Sequence, residues 1–198
     1  MVTKTPSGKN VYVALLHHSM LDKNGAIVTT AVTNLDIHDI ARSSRTYGVK
    51  SYFLITPLEE QQEVVKRIIT HWHGRGGRDY NPDRSEAFSR VYVVSWLQDA
   101  IKEIEKAEGQ RPQVWMTTAR APEGVKQKSW NAAREILSEN QPPAKLIVFG
   151  TGWGMTEEML READAVLDPI FPAEESGYNH LSVRSAVAIA LDRLLGQR

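Results

Sequence analysis

Apolar residues recur along this chain in two alternating rhythms. Short β-branched or aromatic runs at Val11 to Leu16, Tyr52 to Ile55, Val91 to Val94, Val114 to Thr118, Leu146 to Phe149 and Ala165 to Leu167 read as strands. Between and after them the apolar positions take helical spacing. This predicts helices over about Leu35 to Tyr47, Glu59 to Trp72, Leu97 to Ala107, Trp130 to Leu137, Thr156 to Ala163 and Leu181 to Leu195. Such alternation predicts an α/β fold, a parallel sheet with helices on both faces. Ligands of sheets of this kind sit at the carboxyl ends of the strands. Two stretches break the pattern. Trp72 to Arg90, rich in glycine and arginine, reads as an exposed loop with weak local structure, and Gln141-Pro142-Pro143 reads as a turn.

Composition narrows the class. With 198 residues, 41% hydrophobic and 24% charged, residues 1–198 are expected to form one compact domain. No apolar leader and no bilayer-spanning run is visible, so a cytoplasmic protein with no membrane contact is expected. Lys+Arg and Asp+Glu both total 24, so any nucleic-acid contact must come from a local basic patch. The absence of cysteine excludes thiolate nucleophiles, disulfides and cysteine-based zinc frameworks.

Three constellations can carry chemistry. Phe149-Gly150-Thr151-Gly152-Trp153-Gly154-Met155 follows an apolar strand and opens a helix. Its glycines suit close approach of backbone amides to a ligand, or simply a tight strand-to-helix turn. A dinucleotide site is disfavoured, because the spacing is G-x-G-x-G, Asp168 comes early for a ribose-binding acid, and little sheet remains beyond it. The second group is Asp168-Pro169-Ile170-Phe171-Pro172 followed by Tyr178 to Ala186, where Asn179 or Ser182 suits either a site or a helix cap. Val183, Ala186, Val187, Ala190, Leu191 and Leu194 then make a small and aliphatic face for packing within the fold or across a dimer.

The third group is the helix after the first strand. At about 100° per residue, Asn34, His38, Arg42 and Arg45 share one arc, while Ile37, Ile40, Ala41 and Ser44 face elsewhere. The arc suits a solvated face capped by Asn34, or a place where a guanidinium binds phosphate or steadies a forming alkoxide. His17-His18 and His71-x-His73 lack acidic or cysteine partners at ligand spacing, so no metal site is expected. His17 is expected to line a site or to pack at the end of its strand.

Together these motifs resemble the SPOUT methyltransferases, from about Asn34 to the C-terminus. Ile40 to Val49 is similar to the first SpoU motif, with Arg42 in the place of the catalytic arginine. Ile147 to Gly154 resembles the second motif, and Pro169-Ile170 with Asn179 to Ile189 resembles the third. The chain departs from the commoner members at His180 and Arg184, where they carry asparagine and alanine, and at Asp36, where they carry a second asparagine.

The resemblance implies a deep C-terminal trefoil knot, formed by about 113–198, against the usual rule that chains are not threaded. It implies S-adenosylmethionine bound between three loops: Thr117-Thr118-Ala119; Gly150, Thr151, Gly152, Trp153 and Gly154; and Pro169 and Ile170 with Tyr178, Asn179, His180, Leu181 and Ser182. It also implies a homodimer and methyl transfer to tRNA or rRNA, at a ribose 2′-oxygen or a base nitrogen, without a metal. Arg42 would act at the reacting oxygen, with Asn34, His38 and Ser182 as further catalytic candidates. Arg75, Arg78 and Arg84 are the candidate RNA contacts. A knotted, non-catalytic RNA-binding or assembly protein is the alternative, distinguished by failure to bind the cofactor.

Overall fold

The computed structural model describes residues 10–120, 123–125, 127–173 and 176–197. Seven strands form one parallel sheet: β1 (Val11–Leu16), β4 (Tyr52–Ile55), β5 (Val91–Val94), β6 (Gln113–Met116), β7 (Gln127–Lys128), β8 (Lys145–Phe149) and β9 (Ala165–Leu167). Their order is β5-β4-β1-β8-β6-β9-β7. A separate antiparallel hairpin, β2 (Met20–Leu21) and β3 (Ile27–Val28), follows β1.

The central strands are apolar throughout because both faces of the sheet are covered. Along β1, Val11, Val13 and Leu15 enter one core, and Tyr12, Ala14 and Leu16 enter the other. The first core takes side chains from α1 (Asn34–Thr46), α2 (Glu59–His73), α4 (Pro82–Phe88), α6 (Trp130–Ser138) and α8 (Val183–Leu195). The second takes them from α5 (Leu97–Glu108) and α7 (Glu157–Glu162). In α8, Val187, Ala190, Leu191 and Leu194 are buried within this chain, packed toward α1 and α6, so that small-residue face serves the fold itself.

The loop expected from Trp72 to Arg90 is instead helical. α2 continues to His73, and α3 (Arg75–Tyr80) and α4 follow, packed on one another and on α2. Trp72, Ala87 and Phe88 belong to the core, which gives this segment the burial that its glycines and arginines obscure. The start of α4 had a readable signal: Asn81 caps it by accepting from the Arg84 amide, and Pro82 opens its first turn. The β2–β3 hairpin also escapes the periodicity, because each strand is only two residues long. Its turn is marked by Asn24-Gly25, with Asp22 accepting the amides of Asn24 and Ala26 and Gly25 at a φ of 82°. The last helix begins at Val183 rather than at Leu181, since Ser182 is its cap.

Gly76 and Gly77 are adjacent but differ in what surrounds them. A Cβ on Gly77 would lie 2.5 Å from the His71 carbonyl oxygen and 2.8 Å from Trp72 Cα, whereas one on Gly76 would meet nothing within 4 Å. Gly77→Ala is expected to cost about 1–3 kcal/mol by overpacking, and Gly76→Ala to be neutral or to stabilise by up to about 1 kcal/mol. Urea unfolding midpoints of the two variants check this, and equal effects would contradict the packing.

Candidate active site

β8, β6 and β9 are neighbours in the sheet, so the loops leaving their carboxyl ends emerge side by side. These are the segments beginning at Gly150, Thr117 and Asp168. Thr117 is fixed by its amide and its hydroxyl, both donating to the Val148 carbonyl at 3.0 Å. The Asn179 side-chain amide donates to the Ala119 carbonyl at 3.1 Å, which ties the segment after β9 to the loop after β6. Trp130 Nε1 donates to the Pro169 carbonyl at 3.5 Å from the opposite side. Leu181, Tyr178 and Trp153 are exposed at these loops, and Ile170 is half-buried. A cavity of about 340 Å³ lies beside them, lined by Trp130, Asn131, Arg134, Asp168 and Arg193.

The glycine loop is shaped by its own chain more than its sequence indicates. The Trp153 amide donates to the Leu21 carbonyl at 3.0 Å, and the Leu21 amide donates to the Gly154 carbonyl at 2.8 Å, so the β2–β3 hairpin pairs along the loop. A Cβ on Gly152 would come within 3.1 Å of the Leu21 carbonyl oxygen, and one on Gly150 within 3.0 Å of the Met155 side chain. Gly152, at a φ of 58° and close to backbone, is thus favoured by contacts within the protein, while a side chain at Gly150 would press on two methionines. Gly154, at a φ of 105°, faces open space. Thr151 spends its hydroxyl on the Leu16 carbonyl and on Thr30 Oγ1.

On α1 the expected arc divides. Asn34 is exposed, but the cap is Thr33, which accepts from the Asp36 amide. His38 packs edge-on against Phe88 and Trp72, and its pKa is lowered, first by burial and then by the charge of Arg84. Arg45 pairs with Glu86 of α4. Arg42 is exposed and makes no ion pair among the described residues. Ser182 caps α8 by accepting from the Ser185 amide at 3.3 Å, so its hydroxyl already has a structural task. His180 lies against the Tyr178 ring at 5.1 Å. Arg75 and Arg78 are exposed on α3, Arg75 within 3.7 Å of Asp79, whereas Arg84 lies over the Trp72 ring.

Sequence reasoning noted Asp36 and Arg184 separately and missed that they meet. Arg184 Nη1 donates to Asp36 Oδ1 at 3.1 Å, and Arg184 Nε lies 3.4 Å from Asp39 Oδ2. Asp36 is buried and also accepts from the Thr33 hydroxyl at 2.6 Å. The pair joins the start of α8 to the helix that carries Arg42. His17 was expected to line a site or pack, and it packs. It is fully buried, with Nδ1 3.0 Å from Thr30 Oγ1 and Nε2 without a partner. Burial lowers its pKa to about 4, against a smaller upward pull from Asp36.

A family model described as SAM-dependent RNA methyltransferase matches residues 10–196. The chain is 41% identical over 189 residues to a tRNA (guanine-N(1)-)-methyltransferase of Oleidesulfovibrio alaskensis, covering 96% of this chain and 43% of that protein. It thus spans less than half the length of that relative. A protein of Aquifex aeolicus is 40% identical over 189 residues, covering 96% of this chain and 90% of the relative. In fold, the chain is similar to the TrmH/SpoU tRNA modifying enzyme of A. aeolicus, with a TM-score of 0.52 at 14% identity, over 98% of this chain and 77% of that one.

Two outcomes follow from the buried groups. Arg184→Ala strands the Asp36 carboxylate and is expected to cost about 3 kcal/mol. Adding Asp36→Asn should recover at least about 1 kcal/mol of that loss. Strict additivity in urea unfolding would contradict the pairing. For His17 the folded pKa lies below its ordinary 6.5, so between 6.5 and about 4 the unfolded chain takes up a proton that the folded one refuses. Stability should therefore fall by roughly 3 kcal/mol as pH drops through that window. His17→Gln should lose this part of the pH dependence, as measured by unfolding at several pH values.

Proposed function

This chain belongs to the SAM-dependent RNA methyltransferase family, and from that premise we propose that it methylates a nucleotide of tRNA in the cytoplasm, as a homodimer whose C-terminal part is knotted. The observation that carries the site assignment is the set of three loops at the adjacent ends of β8, β6 and β9, two of them joined by the Asn179 to Ala119 bond. The knot is carried over from the family resemblance, and the strand order, with β9 laid on the far side of β6 from β8, accommodates it. The tRNA assignment is supported by the name of the relative, of which this chain matches one part. No helix among the described residues is long and apolar enough to cross a membrane.

The loops fit S-adenosylmethionine in chemistry as well as in place. Backbone groups of Thr117, Thr118 and Ala119 and the open side of Gly154 would take its polar edges, and Ile170 and Leu181 would wall it. Thr151, Gly150 and Gly152 act indirectly, by holding the loop against the hairpin. The bound cofactor supplies a methyl group on a sulfonium, so the protein's tasks are alignment, exclusion of water and charge compensation at the acceptor. Arg42 is suited to the last of these. A guanidinium stays charged at any working pH, and this one is committed to no carboxylate among the described residues. At a ribose hydroxyl it would steady the oxygen as its proton leaves. Arg184, through Asp36 and Asp39, positions the helix that carries it. His38 is held by aromatic rings, and Ser182 by its cap, so their roles are to orient rather than to accept the proton.

Calorimetric titration with S-adenosylmethionine, with NAD as control, should give saturable binding to the first alone. Arg42→Ala should retain that binding while slowing single-turnover methylation of tRNA by an amount equal to about 2.7–4 kcal/mol in the barrier. Lost cofactor binding or unchanged turnover in the variant would overturn the role. A folded wild-type protein that binds no cofactor would support a non-catalytic RNA-binding role instead.

A further inference from the structure

The corner where α1, α2 and α4 meet gathers an arginine and two histidines around one aromatic ring. Trp72 is only 7% exposed. The Arg84 guanidinium lies 4.9 Å above its ring. The His38 and His71 rings meet it edge-on, with centroids at 5.7 Å and 5.2 Å. Phe88 stacks on it at 5.9 Å and is itself fully buried, so the ring is fixed and Arg84 is fixed with it. We propose that this corner is a phosphate site in which Arg84, with His71 beside it, grips a backbone phosphate of the RNA substrate, leaving Arg42, one helical turn beyond His38, for the reacting nucleotide. The inference rests on the RNA-methyltransferase reading above and adds to it where the strand is held.

The charge balance supports an anionic ligand. Arg42 and Arg84 have no carboxylate partner among the described residues. The nearby acids are already engaged, Glu86 by Arg45 and Asp39 by Arg184. Asp83 precedes Arg84 and projects about 100° away around α4. Arg84 Nε is buried without a hydrogen-bond partner. Besides burial, Arg84 and Arg42 both act to lower the His38 pKa, against an upward pull from Asp39, which places the two guanidiniums within electrostatic reach of one imidazole. Like charges collected in this way, with unused donors, leave a deficit that a phosphodiester fills. A guanidinium stacked on an aromatic face also keeps its in-plane N–H groups free for two phosphate oxygens. Arg75 lacks these features, being 92% exposed and close to Asp79.

The competing role for Arg84 is a purely structural cover over Trp72, and two variants separate the two. Arg84→Met keeps an unbranched chain over the ring without charge, and Arg84→Lys keeps the charge without the planar fork. Binding of unmodified bulk tRNA would be measured by filter retention across a salt series, with thermal midpoints and S-adenosylmethionine titrations on the same proteins. Arg84→Met should weaken tRNA binding by about fivefold to tenfold and lower the slope of log affinity against log salt by about 1. Arg84→Lys should keep the wild-type slope, and cofactor affinity should be unchanged in both. If Arg84→Met binds tRNA with the wild-type affinity and slope, or loses thermal stability with the slope unchanged, the phosphate site is overturned and the RNA reading stands. If the wild-type protein shows no salt-dependent tRNA binding, the RNA reading falls and the site falls with it.

Discussion

A sheet buried on both faces leaves no room for polar chemistry except at its ends. Most residues of β1, β4, β6 and β8 are enclosed by helices, and the few polar groups inside must be neutral or paired. His17 meets this demand by giving up its charge and Asp36 by taking a cation from α8. The groups that would meet the cofactor are displaced to the loops beyond the strands. The arrangement of the candidate site is therefore a consequence of strand order: the three loops are neighbours because β6 lies between β8 and β9.

The pairing of Asp36 with Arg184 shows how two charges can be accommodated beside a nonpolar core. An acid alone at position 36 would leave a buried charge, and a cation alone at position 184 would lie against the positive end of its own helix. Together each compensates the other, and Asp39 takes the remaining edge of the guanidinium. The two positions are 148 residues apart in sequence, so nothing local in either stretch reveals the contact.

Legibility in the sequence followed length and burial. The strands at Val11, Tyr52, Val91 and Leu146 stood out because each is an unbroken run of apolar residues, enclosed on both faces in β1, β4 and β8 and only partly covered in the edge strand β5, and the structure places all four there within a residue. The segment from Trp72 to Phe88 did not, because Gly74, Gly76 and Gly77 disguise two short helices whose buried residues are too few to set up a period. β7, with the polar sequence Gln127-Lys128 at the sheet edge, offers no apolar signal at all. The glycine loop follows β8, as its position in the sequence indicates, and of its two readings, ligand approach or tight turn, Gly150 and Gly152 favour close packing against Met155 and the hairpin. Periodicity also put Asn34, His38, Arg42 and Arg45 on one side of α1 without distinguishing Arg42, which stands free, from His38 and Arg45, which α2 and α4 engage.

α1 is held from two directions, by α8 through Arg184 and by α4 through Glu86. Its supports come from well-separated parts of the chain, one near the middle and one near the C-terminus. One belongs to the segment that also shapes the loops after β9, and the other to the helical insert between β4 and β5. Under the proposed reading, a change of charge in the α2–α4 segment would reach Arg42 through Glu86 and α1, while the three loops keep their form. RNA recognition and cofactor binding would then occupy separate stretches of the chain, each open to alteration without the other.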